Sequence, residues 1–195
     1  MRSWLLVIVI TAVMAGAATA DVPPDKTVTP RPEGSGKAGV PGLRGKTPIL
    51  GDVEIGERAP DFVLDGSKGR EEQLSRQRGQ WALLVFADRY RTLAVFDTLA
   101  TNGLKLGVRV IGVCHEKQQT LTVATARDHV DMLLLADPTG EVSAVFGLYD
   151  WGESRTQPGF FVLDAEGIVR LAVVGRLFPA DEMLDLLRFA TGASE

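Results

Sequence analysis

Five consecutive apolar residues, Ala82-Leu83-Leu84-Val85-Phe86, lie between Trp81 and Ala87. A run of this kind has no polar face to offer water. It suits a strand covered on both sides, as in a parallel sheet. A parallel partner requires a crossover, and the next residues supply one. Leu93, Phe96, Leu99 and Ala100 recur at helical spacing. Val108 to Cys114 is then apolar and β-branched again, which completes a β-α-β unit.

The same reading extends in both directions. Phe62-Val63-Leu64 is a short strand candidate, followed by the turn residues Asp65-Gly66. Gln118 to Arg127 reads as a helix, and Leu133-Leu134-Leu135 as a strand closed by Asp137-Pro138-Thr139-Gly140. Val142, Val145 and Phe146 mark a short helix that Gly147 ends. Phe160 to Leu163 and Ile168 to Val174 flank Asp164-Ala165-Glu166-Gly167, the pattern of a hairpin. A last helix starts near Pro179, with Asp181 and Glu182 at its positive end and Gly192 as its stop. Alternating strands and helices give an α/β fold, and the closing hairpin makes the sheet mixed.

Residues 1–52 differ from this. Arg2, the apolar run Trp4 to Ala15 and the small residues Ala18-Thr19-Ala20 form the three-part pattern of a secretory signal peptide. The apolar run is shorter than the roughly 20 residues that a bilayer span needs. Cleavage before Asp21 is expected, leaving an exported chain, periplasmic or secreted, without a stable membrane span. Losing Arg2 leaves 20 basic and 25 acidic residues, a net charge of -5. Residues 21–52 hold Pro23, Pro24, Pro30, Pro32, Pro41 and Pro48 and five glycines between Gly34 and Gly45. Such a segment buries too little apolar surface to offset its ordering entropy and reads as a tether. The folded domain is expected over residues 53–191, with 192–195 as a tail.

Composition removes several function classes. The formal net charge is -4 and no Lys/Arg cluster is visible, which argues against nucleic-acid binding. Cys114 is the sole cysteine, so no internal disulfide and no multi-cysteine zinc site can form. His115 and His129 are the only histidines, and no EF-hand spacing is present. No metal or other cofactor is expected.

Several phrases, in order, resemble the alkyl hydroperoxide reductase and thiol-specific antioxidant family, the peroxiredoxins. They are Ala59-Pro60-Asp61-Phe62 with Leu64, Leu83-Leu84-Val85-Phe86, Val110-Ile111-Gly112-Val113, Ala136-Asp137-Pro138-Thr139-Gly140-Glu141-Val142 with Phe146-Gly147, and Pro158-Gly159-Phe160-Phe161-Val162-Leu163-Asp164 with Gly167. The resemblance covers roughly residues 53 to 191. It implies a thioredoxin-like fold, with a central mixed sheet flanked by helices and Pro158 at the cis-proline position.

The resemblance also implies a reactive cysteine in the loop after the central strand, three residues beyond a Thr or Ser that itself follows a Pro by four. Set on this chain, those positions are Asp88, Thr92 and Val95. The Thr is kept; the Pro and the Cys are not. The family's assisting Arg would fall near Pro158 or Gly159, with Arg155 as a displaced substitute. Compared instead with exported thiol reductases, the W-C-x-x-C motif falls on Tyr90-Arg91-Thr92-Leu93-Ala94, again without cysteine. A missing thiolate cannot be replaced by positioning, because the thiolate is the reagent.

The candidate site residues are therefore few. Cys114 ends a strand at the edge where ligands of open α/β sheets bind, but a free Cys is more commonly a small buried hydrophobe. His115 is adjacent, yet neighbouring strand residues point to opposite faces. Arg89 and Arg91 suit either an anion or a solvated loop. Tyr90, Arg91, Thr92, Trp151 and Pro158 are the expected lining of a groove, Tyr149 lies beside them, and His129 reads as a helix end. Three functions follow: a non-catalytic module of the cell envelope that binds a protein or peptide in this groove; a thiol oxidoreductase or peroxidase using Cys114, with Thr92 and Arg155 assisting; and a binding protein for a small anion. The first is preferred.

Overall fold

The computed structural model describes residue 51 and residues 53–192. The expected signal peptide, the tether apart from Gly51, and the last three residues lie outside them. Among the described residues, no helix is long and apolar enough to cross a membrane.

The described residues open with β1 (Val63–Gly66) and β2 (Glu71–Gln73), then a 3-10 turn over Leu74–Gln77. Next come β3 (Trp81–Ala87), α1 (Tyr90–Ala94), α2 (Asp97–Lys105), β4 (Val108–Cys114), α3 (Gln118–Asp128), β5 (Leu133–Ala136) and α4 (Glu141–Val145). A small pair, β6 (Tyr149–Asp150) and β7 (Arg155–Thr156), precedes β8 (Gly159–Leu163), β9 (Val169–Val174) and α5 (Ala180–Thr191). The main sheet runs β2-β1-β5-β4-β3-β8-β9. β3, β4 and β5 are parallel, while β1, β8 and β9 join antiparallel. The expected mixed α/β sheet is present.

The apolar runs fill both faces of this sheet. Leu83, Val85 and Ala87 face Leu93, Phe96, Leu99, Leu121, Met183 and Leu187 of the helical layer. Ala82, Leu84 and Phe86 point the other way, toward Phe146, Leu148 and Phe161. That alternation is the period of two of a strand. Phe146 is the hub of the second face. Its ring centroid lies 5.1 Å from Phe86, 5.0 Å from Phe161 and 5.9 Å from Phe62, the spacing of favourable aromatic pairs.

Some elements depart from the sequence reading. Asp65 and Gly66 belong to β1, and the turn falls on Ser67 to Arg70, closed by Gly69 N–H on Gly66 C=O at 3.0 Å. The helix expected through Leu93, Phe96 and Leu99 breaks at Val95 and Phe96 into α1 and α2. Asp97, first in α2, accepts the backbone N–H of Asp131 and Met132 at 2.8 and 2.7 Å. Its carboxylate thereby ties α2 to the entry of β5. His129 ends α3 at φ 53°, as its helix-end reading requires. Gly192 ends α5 at φ 69°, a conformation that glycine adopts without strain.

Asp164 shapes the β8–β9 turn. Its carboxylate accepts the N–H groups of Glu166 and Ile168 and the Arg170 guanidinium, at 3.0, 2.8 and 2.6 Å. Burial opposes ionisation, but the Ile168 N–H and Arg170 outweigh it and hold the carboxyl below its ordinary range. The resulting stabilisation is present above the unfolded carboxyl's pKa and is lost as pH falls through the folded value.

Candidate functional site

The parallel register aligns Ala87, Cys114 and Ala136 at the carboxyl ends of β3, β4 and β5. The candidate residues gather at this edge, where open α/β sheets bind ligands. Asp88, immediately after β3, is the centre of the group. One carboxylate oxygen accepts the Thr156 N–H at 3.2 Å and lies 3.3 Å from His115 Nδ1. The other pairs with Arg89 Nε at 3.0 Å. Its carbonyl accepts from Cys114 Sγ at 3.7 Å. Asp88 thus links the loop entering α1 to β7, which lies 68 residues further on.

Cys114 is 0 % exposed. Burial pushes its thiol well above the ordinary range, with the Glu116 and Asp88 carboxylates adding to the effect. The thiolate, which is the nucleophilic form, is therefore suppressed. His115 sits next in sequence, but its ring faces Asp88 and packs edge-to-face on Tyr149, with centroids 5.3 Å apart. Cys114 instead donates to a backbone carbonyl, so the two do not form a dyad.

Tyr90 is among the residues lining a cavity beside α1 with Arg89, Arg91, Glu116 and Arg127, but most of its ring is covered. It is 4 % exposed, and its hydroxyl donates to Asp128 and to the Ala124 carbonyl at 3.1 and 3.3 Å. Burial, then the Asp128 hydrogen bond, raises its pKa. An amphipathic ring with partners for its hydroxyl is more stable inside than out. Its backbone N–H donates to Glu116 Oε1 at 3.1 Å, an acidic partner for the start of α1.

Arg91 and Thr92 are exposed on α1. Val95, at the end of that helix, is 66 % exposed. Arg155 is exposed and ion-paired with Glu153. Pro158 is half-buried at the entry of β8, and the bond before it is trans, since no cis peptide occurs among the described residues. Trans is the default before proline, and the preceding residue is already fixed by Gln157 N–H on the Leu148 carbonyl at 2.7 Å. Arg89, read as an anion ligand, has its charge met by Asp88.

Trp151 lies on the β6–β7 hairpin and is 69 % exposed. Its ring meets Tyr149 edge-to-face, with centroids 4.8 Å apart. Sequence reasoning grouped these aromatics but missed what supports them. Asp137 is fully buried and accepts the Ser143 N–H and hydroxyl at 2.8 and 2.7 Å. The Ser143 hydroxyl in turn accepts from Thr156 Oγ1 at 3.0 Å. This chain secures α4 to β7. The one available signal was Asp137 itself, in a phrase that reads as an ordinary turn. Among the described residues, no group of three or more His, Cys, Asp or Glu is placed to hold a metal ion.

Comparisons with known proteins agree on the fold. Residues 55–172 match the model of the AhpC/TSA family. The chain is 33 % identical over 144 residues to Peroxiredoxin-2 of Cricetulus griseus, covering 65 % of this chain and 72 % of that protein. It is 28 % identical over 134 residues to Peroxiredoxin Bcp of Escherichia coli K12, covering 60 % and 83 %. Among solved structures, Peroxidoxin BcpB from Mycobacterium tuberculosis superposes with a TM-score of 0.63 at 20 % identity, over 73 % of this chain and 99 % of that one. Enterococcus faecalis AhpC gives 0.65 at 17 %, over 71 % and 92 %. With the parallel β3-β4-β5 core and the matched phrases in their expected order, the chain belongs to the AhpC/TSA family, the peroxiredoxin-like branch of the thioredoxin fold.

Proposed function

We propose that this chain is an exported member of the family in which the thioredoxin fold serves as a non-catalytic binding module of the cell envelope. The observation that carries the reading is the burial of Cys114, the chain's sole thiol. The relatives named above are peroxiredoxins. Thiol-based peroxide reduction would pass to this chain only through a thiolate. At the position that the sequence resemblance sets against the family's reactive cysteine stands Val95, exposed and without an ionisable atom. Cys114 would need exposure, a lowered pKa and an external reductant to take over the role. The burial that raises its pKa supports the opposite.

Peptide-level mass spectrometry of the protein from its native host, before and after peroxide treatment, tests both parts of the proposal. The expected result is an N-terminus at Asp21 and an unmodified Cys114 thiol. Retention of residues 1–20 would overturn cleavage. A sulfenic or sulfinic acid on Cys114 would favour the thiol enzyme.

A further inference from the structure

We infer that a cleft at the amino edge of the sheet, opposite the candidate site, binds a small organic carboxylate: one anionic head joined to an apolar tail. This goes beyond the binding-module reading and does not depend on it.

The parallel strands β3, β4 and β5 have two ends. Cys114 stands at the carboxyl end of β4, and Arg109 stands near the amino end of the same strand. At about 3.3 Å per residue, roughly 16 Å of strand separates them. A cavity of about 440 Å³ lies at this amino end, between the β1–β2 turn, α2 and the entries to β4 and β5. Its volume falls in the range of small-molecule pockets.

Arg109 is the reason to expect an anion. It lines the cavity, half-buried, on a strand whose next five residues are all buried. Its Nη1 donates to Gln77 Oε1 at 2.6 Å, and Gln77 Nε2 donates onward to Glu72 Oε2 at 3.2 Å. Gln77 is itself buried. The neutral amide therefore fixes the guanidinium without cancelling its charge. A guanidinium carries five N–H donors in a planar fork. Among the described residues, this one makes no ion pair and no second hydrogen bond. A carboxylate matches the open fork in both charge and shape.

The rest of the lining narrows the ligand. Lys68 and Arg70, exposed on the β1–β2 turn, join Arg109, and neither has an ion pair among the described residues. Glu72 and Asp131 bring two carboxylates. Three cations against two acids leave one positive charge in excess, in a chain whose formal net charge is -4. That balance suits a monoanion, since a dianion would leave one charge unmatched beside two acids. Between the charges the wall is apolar: Ala100 and Leu104 of α2 on one side, Val110, Met132 and Leu133 on the other. Leu104 is 62 % exposed. An alkyl tail laid against it would remove apolar surface of both from water. A bare inorganic anion would leave this wall unused, and a neutral tail would leave Arg109 unmatched.

The test is titration of the isotope-labelled full chain with octanoate, acetate, octan-1-ol and octyltrimethylammonium, followed by amide NMR spectra. Octanoate should bind most tightly, with saturable shifts gathered at Gly69, Leu104 and Met132 and none at Asp88 or His115. Arg109→Gln should weaken octanoate about 10- to 150-fold, the range for a hydrogen bond to a charged group. Lys68→Gln combined with Arg70→Gln, both at exposed positions, should weaken it about 2- to 5-fold, the range for exposed charge pairs. Thermal unfolding of each variant confirms that the fold survives. If Arg109→Gln does not fold, the exposed double variant decides.

Unchanged affinity in either variant would overturn the inference. So would the absence of saturable octanoate shifts, or shifts gathered at the carboxyl edge instead. Equal binding of octan-1-ol would show that the tail alone is recognised, and tighter binding of octyltrimethylammonium would reverse the charge preference; each would overturn it too. None of these outcomes bears on the reactivity of Cys114, so this inference and the non-catalytic reading fail separately.

Discussion

A Val95→Cys variant should acquire a thiol that iodoacetamide modifies readily, while Cys114 in the same native chain stays unmodified. Alkylation requires thiolate and access together. Residue 95 closes α1 in ordinary helical geometry and is 66 % exposed, so a cysteine there would have solvent on most sides. Cys114 is fully covered, lies against the Asp88 carbonyl and feels the Glu116 and Asp88 carboxylates. Burial of that kind disfavours the thiolate by orders of magnitude, so the rates should differ by at least about 100-fold. Tryptic peptides from a time course separate the two sites. Adding denaturant should bring Cys114 to an ordinary rate, because only the fold protects it. Comparable labelling of both thiols in the native state would mean that the carboxyl edge of β4 is open.

Phe146→Ala should lower the unfolding free energy by about 3–5 kcal/mol, the range for deleting a buried phenyl ring. Phe146 touches Phe62, Phe86 and Phe161 at once, so no single neighbour can fill the space by changing rotamer. It also follows α4, whose Ser143 anchors Thr156 of β7. The loss should therefore be felt at the hairpin as well as in the core. Urea unfolding monitored by far-UV circular dichroism measures it. A loss below about 1 kcal/mol would show that this face of the sheet repacks freely.

The strands of the core were legible because their chemistry is local. β3 and β4 begin and end where the apolar runs do, at Trp81 and Ala87 and at Val108 and Cys114. The break between α1 and α2 was not legible. Leu93, Phe96 and Leu99 are all buried, so the hydrophobic period continues across the break, and period alone does not report backbone continuity. The β6–β7 pair was missed for a different reason. Its four residues are mostly polar, and what holds them comes from Asp88 and Ser143, both distant in sequence.

The site divides along the same line. The family phrases could be read directly. The orientation of Tyr90 could not, because it depends on Asp128, 38 residues away. Cys114's burial followed from the apolar run before it. The role of Asp88 as a shared acceptor did not, since its partners come from β4, β7 and the loop beside it.

Peroxide consumption by the purified protein, with a thiol reductant and with Cys114→Ser assayed alongside, tests the central claim most directly. Neither protein should consume peroxide above the uncatalysed rate. Sustained turnover by the natural chain that disappears in Cys114→Ser would contradict the claim, and would make the buried thiol an enzyme's nucleophile.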